Sequence, residues 1–167
     1  MKAAGVVVMG VSGSGKTSVG GLLARRLGWL FFDADDFHPP ANIEKMRSGI
    51  PLDDADRAPW LAALNGLLAR TIGEGKHPVL ACSALKEKYR RTLLEGNDGV
   101  RIVFLKGDYE RIWSRMAQRP QHYMKPGMLR SQFEALEEPV GALTVGIDRP
   151  PAEIVDRIVA ELNAEGE

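Results

Sequence analysis

Eight consecutive residues, Gly10-Val11-Ser12-Gly13-Ser14-Gly15-Lys16-Thr17, meet the spacing G-x-x-x-x-G-K-[ST] at every fixed position. That spacing suits a polyphosphate. Glycines let backbone N–H groups turn inward and approach phosphate oxygens, and the N-terminus of a following helix adds a favourable dipole. Lys16 then reaches the β- and γ-phosphates, and the Thr17 hydroxyl is a ligand for Mg²⁺. The motif predicts binding of a nucleoside triphosphate. A second group of candidates lies in Asp33-Ala34-Asp35-Asp36-Phe37-His38-Pro39-Pro40. Asp33 can orient Mg²⁺ through water, because that ion keeps much of its hydration shell. Asp35, on the same side of an extended chain, can accept the proton of an acceptor hydroxyl. His38 is either a substrate ligand or a cap on the following turn. Further along, Arg57 offers a guanidinium fork for a substrate carboxylate. Lys86 and Arg90, four apart on one helical face, either grip an anion or form a solvated basic stripe.

These side chains need elements to hold them. Gly5-Val6-Val7-Val8-Met9 reads as a buried strand, and Val19, Leu22, Leu23 and Leu27 recur at helical spacing up to a stop at Gly28. Trp29 to Asp33 reads as a second buried strand, and Asn42 to Gly49 as a short helix. Asp56 is the expected N-cap of a helix starting near Arg57, with Pro59 in its first turn and Asp53 and Asp54 as further caps or surface residues. Trp60, Leu61, Leu64, Leu67, Leu68 and Ile72 give that helix an apolar stripe. Pro78 to Cys82 and Val100 to Leu105 are the third and fourth strands, and Asp108 caps a helix carrying Ile112, Trp113 and Met116. Met128 to Leu136 resumes a helix, Ala142 to Ile147 is a fifth strand, and Pro150-Pro151 start the last helix. Five strands alternating with helices predict an α/β fold, three layers deep, around a mainly parallel sheet. The loops after the first three strands then share one edge of that sheet, where ligands bind in such folds.

The whole chain sets the limits. At 167 residues it suits one domain, residues 1–167, with a sizeable core. A formal net charge of zero gives no global support for a nucleic-acid or anionic-membrane partner. No stretch approaches the ~18 apolar residues of a membrane span, and no signal-peptide pattern opens the chain. The single Cys82 reads as a core residue and, with no partner for a disulfide, fits a reducing cytoplasm. Charge is nevertheless segregated. Asp33 to Asp56 holds seven acidic and two basic residues, whereas Lys86 to Arg130 holds eleven basic and five acidic ones. Phosphoryl transfer wants carboxylates beside the metal and the attacking hydroxyl, and cations around the phosphates. The basic, proline-containing stretch Arg119 to Gly127 is either a surface loop or a lid, spanning about residues 117–128. As a lid it would exclude water and bring Arg119 to the transferring group.

Several strings together resemble the short phosphate-loop gluconate kinases. They are Met9 to Thr17, Asp33-x-Asp35 with His38-Pro39, Asn42-Ile43-Glu44-Lys45-Met46, and Ile50-Pro51-Leu52-Asp53-Asp54 with Asp56-Arg57 and Pro59-Trp60-Leu61. Ala81-Cys82-Ser83-Ala84-Leu85-Lys86 with Tyr89-Arg90, Leu105-Lys106-Gly107 and Ser131-Gln132-Phe133-Glu134-x-Leu136-Glu137-x-Pro139 continue the likeness to about residue 160. The resemblance implies the nucleoside monophosphate kinase type of fold, often as a homodimer, and phosphorylation of D-gluconate at its 6-hydroxyl by ATP with Mg²⁺. It implies Asp35 as base, Asp33 and Thr17 at the metal, and Lys16 and Arg119 as catalytic cations. It places Arg57, Lys86 and Arg90 toward the sugar acid. The expected ATP-binding set is Gly10, Val11, Ser12, Gly13, Ser14, Gly15, Lys16, Thr17 and Arg115, and the expected acceptor set adds His38. Gln132 and Arg130 each remain open as substrate contacts. The lid departs from the family's usual Gly-His-Phe, reading Gln121-His122-Tyr123, which bears on its hinge. Rival readings are a kinase of shikimate or of a nucleoside monophosphate, and a nucleotide-dependent switch. Against the switch, the chain holds no guanine-reading Asn-Lys-x-Asp string.

Overall fold

Apolar residues on both sides of the strand β1 (Gly5–Met9) decide the architecture. Val6 and Val8 point to one side and Val7 and Met9 to the other, and all four are fully buried. Such a strand belongs in the middle of a sheet covered by helices on both faces. The computed structural model, which describes residues 3–118 and 126–165, has that arrangement. The remaining strands are β2 (Leu30–Asp33), β3 (Pro78–Ala81), β4 (Val100–Lys106) and β5 (Leu143–Gly146). All pair in parallel, in the order β2-β3-β1-β4-β5, and Val7 lies level with Leu80 on one side and Ile102 on the other.

Helices α1 (Lys16–Leu27), α5 (Tyr109–Ala117), α6 (Pro126–Ala135) and α7 (Pro151–Glu165) contribute to one core layer. There Val19, Leu23, Ile112, Leu129 and Ile158 pack against Val6, Val8, Val103 and Val145. On the opposite face, α3 (Asp54–Gly73) and α4 (Glu87–Leu94) bring Trp60, Leu64, Leu68 and Leu93 onto Val7, Met9, Leu80 and Phe104. The short helix α2 (Pro40–Arg47) stands before α3. The three-layer α/β fold read from the sequence is therefore present. Neighbouring β1 and β3 send their connections in opposite directions across the sheet, which opens a crevice above their carboxyl ends.

Local differences have local causes. β2 is an edge strand, so it is only half buried, with Leu30 42% exposed, where a buried strand was expected. Trp29 lies just outside it and stacks on His77 at 4.8 Å between ring centroids. The α2 helix begins at Pro40 rather than Asn42, because proline fits the first helical position. The N-cap of α3 is Asp53, not Asp56. Asp53 accepts from the Asp56 N–H at 2.8 Å, and the Asp56 carboxylate accepts from the Asp53 N–H at 3.0 Å. This reciprocal box satisfies two orphan donors at once, which a cap at Asp56 would not. Starting the helix earlier moves Pro59 from the first turn into the second, where it removes a donor from the helical ladder. Lys45 adds a tie from α2, bonding both Asp56 oxygens at 3.0 and 2.8 Å.

Because Asp53 sets the start of the helix that carries Arg57, its loss is expected to cost the stability of one cap. Asp53→Ala should lower unfolding free energy by about 1 kcal/mol. An unchanged urea midpoint at unchanged m-value would contradict this role.

Candidate active site

The phosphate end is set by β1 and α1. Gly13 takes φ +80°, and a Cβ there would stand 2.7 Å from Cγ of Met116, so the loop lies flush against α5. Gly15 takes φ +97° as the N-cap of α1. Both positions need glycine, for the close approach and for the left-handed backbone. Lys16 folds back over the loop and donates to the Val11 carbonyl at 3.0 Å. Its burial lowers its pKa, an effect opposed by Asp35, Cys82 and Asp33. Thr17 donates to Oδ2 of Asp33 at 2.9 Å, while Oδ1 of Asp33 accepts the Asp35 N–H at 3.0 Å. Arg115, one residue before Met116 on α5, has a buried Nη1 with no hydrogen-bond partner among the described residues. A buried guanidinium N–H on the helix that packs against Gly13 is suited to an anion, since leaving it unpaired is costly.

The acceptor end hangs on a 3₁₀ turn, Ala34–Phe37, that continues β2. Trp60 holds this turn at both ends. Its Nε1–H donates to the Ala34 carbonyl at 2.7 Å, and its ring stacks on His38 at 4.2 Å. Asn42 Nδ2 donates to the Asp56 carbonyl at 2.8 Å and lies 3.2 Å from Nδ1 of His38. Since the carbonyl fixes that Asn42 atom as the amide nitrogen, Nδ1 must accept and the ring proton resides on Nε2. Burial, with Arg57 nearby, lowers the His38 pKa to about 4, so the ring is neutral at physiological pH.

Tyr89 gathers the cations. Arg57 Nη1 donates to its hydroxyl at 3.1 Å and lies over its ring at 5.2 Å, and Lys86 and Lys88 stand at 5.8 and 5.9 Å from the ring centroid. The Tyr89 hydroxyl donates to Asp54 at 2.6 Å, and Lys88 bonds the other Asp54 oxygen. Those two bonds, from Lys88 first and Tyr89 second, pull the Asp54 carboxyl down to about 2.

Comparison with known proteins places this arrangement. The shikimate kinase family model matches residues 12–163. A probable gluconokinase of Mus musculus is 43% identical over 97% of this chain and 100% of its own length. The thermoresistant gluconokinase of Escherichia coli K12 is 47% identical, covering 86% of this chain and 85% of its own. A crystal structure of a gluconokinase from Sinorhizobium meliloti superposes with a TM-score of 0.88 at 44% identity, covering 98% of this chain and 94% of the other. The chain belongs to the gluconokinase family.

Within this gluconokinase fold, the sequence candidates fall into distinct groups. Lys16, Thr17, Asp33 and Asp35 come together at one end, and His38 and Arg57 at the other. Lys86 is the N-cap residue of α4 rather than a residue on its face, and it turns toward Tyr89. Arg90 is 4% exposed and donates to the carbonyls of Ala84 at 2.7 Å and Glu137 at 2.8 Å. Its donors hold the loop after β3, which gives Arg90 a positioning role. Arg130 is exposed and lies over the Tyr109 ring at 5.7 Å. Arg119 and His122 lie outside the described residues. Sequence reasoning missed Tyr89, Asn42 and Trp60 as organisers of the site. The four-residue spacing of His38 and Asn42 was a usable signal, while the Trp60 and Tyr89 contacts join separate elements and left none.

Asp35 is exposed as a residue, yet the surrounding protein desolvates its carboxyl and raises its pKa; Asp33 adds to this and Lys16 opposes it. A base must be deprotonated to act, so turnover should fall as pH drops through a value above the ordinary aspartate range. Asp35→Asn should fold, bind nucleotide and lose about a hundredfold or more in kcat, and the residual rate should lack that acid limb. An unchanged kcat or an unchanged acid limb would remove Asp35 as the base.

Proposed function

We propose that this protein transfers the γ-phosphoryl group of ATP to the 6-hydroxyl of D-gluconate. One observation carries the reading: the short turn after β2 bears Asp35 toward Lys16 and ends in His38 beside Arg57. A base thus stands on the link between a phosphate-binding loop and a cluster of cations. The identity to gluconokinases over nearly the whole chain supports the same acceptor.

The roles follow from chemistry. N–H groups of Gly13, Gly15, Lys16 and Thr17 cradle the triphosphate, with the Lys16 and Arg115 side chains supplying positive charge. Thr17 and Asp33 form a hard-oxygen pair, the donor type Mg²⁺ prefers, and would hold that ion alongside water and phosphate oxygens. When bound, Mg²⁺ neutralises charge on the phosphates. At the acceptor end, Arg57 and Lys86 face the sugar-acid carboxylate, and the His38 Nε2–H donates to a polyol hydroxyl. Arg90 keeps the β3–α4 loop in place for them. The 6-oxygen attacks the γ-phosphorus as Asp35 takes its proton, an O–P bond forms, and the bond to the β,γ-bridging oxygen breaks to release ADP. Arg119 would add a further cation at the transferring group, as the resemblance to the gluconate kinases implies. Cys82 takes no part: burial holds its thiol up at about 12, so it stays protonated, which suits a cytoplasmic core residue.

Two measurements test this proposal. ADP formation with Mg²⁺-ATP should require gluconate and be absent with shikimate, nucleoside monophosphates or no acceptor, and Lys16→Ala should lower it by about a hundredfold or more. Acceptor-independent hydrolysis would instead favour a switch. Tyr89→Phe keeps the ring but removes the hydroxyl that orients Arg57, so it should raise KM for gluconate about five- to tenfold with KM for ATP unchanged. Equal rises in both constants would contradict the acceptor-side role of this cluster.

A further inference from the structure

The segment from Gln132 to Glu137 touches both halves of the site. At one end, the Ser12 N–H donates to Oε1 of Gln132 at 2.8 Å, and Gln132 Nε2 donates to the Ser12 hydroxyl at 3.1 Å. A side chain 120 residues away therefore grips one residue of the phosphate loop at two points. The peptide it holds is the one whose carbonyl, on Val11, accepts from Lys16 Nζ at 3.0 Å and from the Ser14 N–H at 3.2 Å. In a trans peptide the N–H and C=O point in opposite directions. Fixing the N–H on Gln132 therefore fixes the direction in which Val11 presents its carbonyl to the Lys16 ammonium.

The other end of the segment grips the acceptor loop. The Glu137 N–H donates to the Leu85 carbonyl at 2.8 Å, its carbonyl accepts from Arg90 at 2.8 Å, and its Oε1 accepts the Glu87 N–H at 2.7 Å. Leu85 and Glu87 flank Lys86, the residue that turns toward Tyr89. Between the two ends, α6 is seated on α5 by an edge contact of Phe133 with Tyr109 at 5.7 Å, and Leu136 packs into both core layers. The segment is short, helical over most of its length and anchored along its side.

We infer that residues 132–137 are a brace through which the phosphate loop and the acceptor loop set each other's geometry, with Gln132 as the positioning residue at the nucleotide end. It acts through the Val11–Ser12 peptide on Lys16. Nucleotide and sugar acid each favour the same braced arrangement, so each raises affinity for the other. Linkage requires the effect to be reciprocal. The inference rests on the gluconate reading for its acceptor half only.

The experiment is titration of a non-hydrolysable ATP analogue into the full-length protein, with and without gluconate, in wild type, Gln132→Met and Glu137→Ala. In wild type, gluconate should tighten analogue binding about fivefold or more. Gln132→Met, similar in volume but without the amide, should weaken the analogue about fivefold on its own and bring the gluconate effect close to unity. Glu137→Ala, which removes the tie to the Glu87 N–H and keeps both backbone ties, should leave analogue affinity without gluconate unchanged and cut the mutual effect at least twofold. Should Gln132→Met fail to fold, Glu137→Ala decides. Wild-type coupling in a folded variant overturns the brace, as does analogue binding by Gln132→Met as tight as wild type. A wild type that binds the analogue but never gluconate refutes the acceptor reading instead, and the Gln132→Met affinity still judges the nucleotide end.

Discussion

The carboxylate of Asp33 joins the two halves of this molecule's chemistry. One oxygen takes the Thr17 hydroxyl at the start of α1, and the other takes the Asp35 N–H in the turn that follows β2. These residues lie on the connections that follow two different strands, β1 and β2, which are not neighbours in the sheet because β3 lies between them. A single side chain therefore ties the helix that follows the phosphate loop to the turn that carries Asp35. Phosphoryl transfer needs alignment more than covalent chemistry from the protein. This constraint supplies it before any ligand arrives.

Around that junction the site is held by groups that do not themselves react. Trp60 pins the turn through an N–H and a ring face, Arg90 is spent on carbonyls, and Tyr89 gathers three cations without being charged, its hydroxyl pushed up to about 12 by burial and by Asp54. Concentrating positive charge is unfavourable unless an anion offsets it. Asp54 does so, pairing with Lys88 and accepting from the Tyr89 hydroxyl. His38 takes the complementary course. As a neutral ring with its proton on Nε2, it adds nothing to the repulsion.

Much of this was legible in the chain because it is local. The phosphate loop is contiguous, the strands announce themselves by apolar runs, and five such runs separated by helical patterns leave few alternatives to a covered parallel sheet. Asp35 does lie beside Asp33, but through the 3₁₀ turn Ala34–Phe37 and the bond from its N–H to Asp33, not through the period two of an extended chain that the sequence suggested. What could not be read is what depends on separate elements meeting. Whether Asp53 or Asp56 caps α3 turns on a reciprocal bond that either residue could have started. The exposure of β2 follows from its place at the sheet edge, which strand order and not strand composition decides. Arg90 has the look of a substrate ligand from sequence, yet the fold delivers it to the Glu137 carbonyl, 47 residues on. Gln132 was one of two open candidates, and only its meeting with Ser12 separates it from Arg130.

The central claim is that a loop built for a triphosphate and a turn bearing a base are aligned for transfer to a hydroxyl rather than to water. The most direct measurement follows the fate of the γ-phosphoryl group, using ATP labelled there with heavy oxygen and mass spectrometry of the products. The account predicts that the label appears in a phosphate monoester of gluconate at the 6-position, with little in inorganic phosphate. Label recovered in inorganic phosphate, with gluconate present and unmodified, would contradict it.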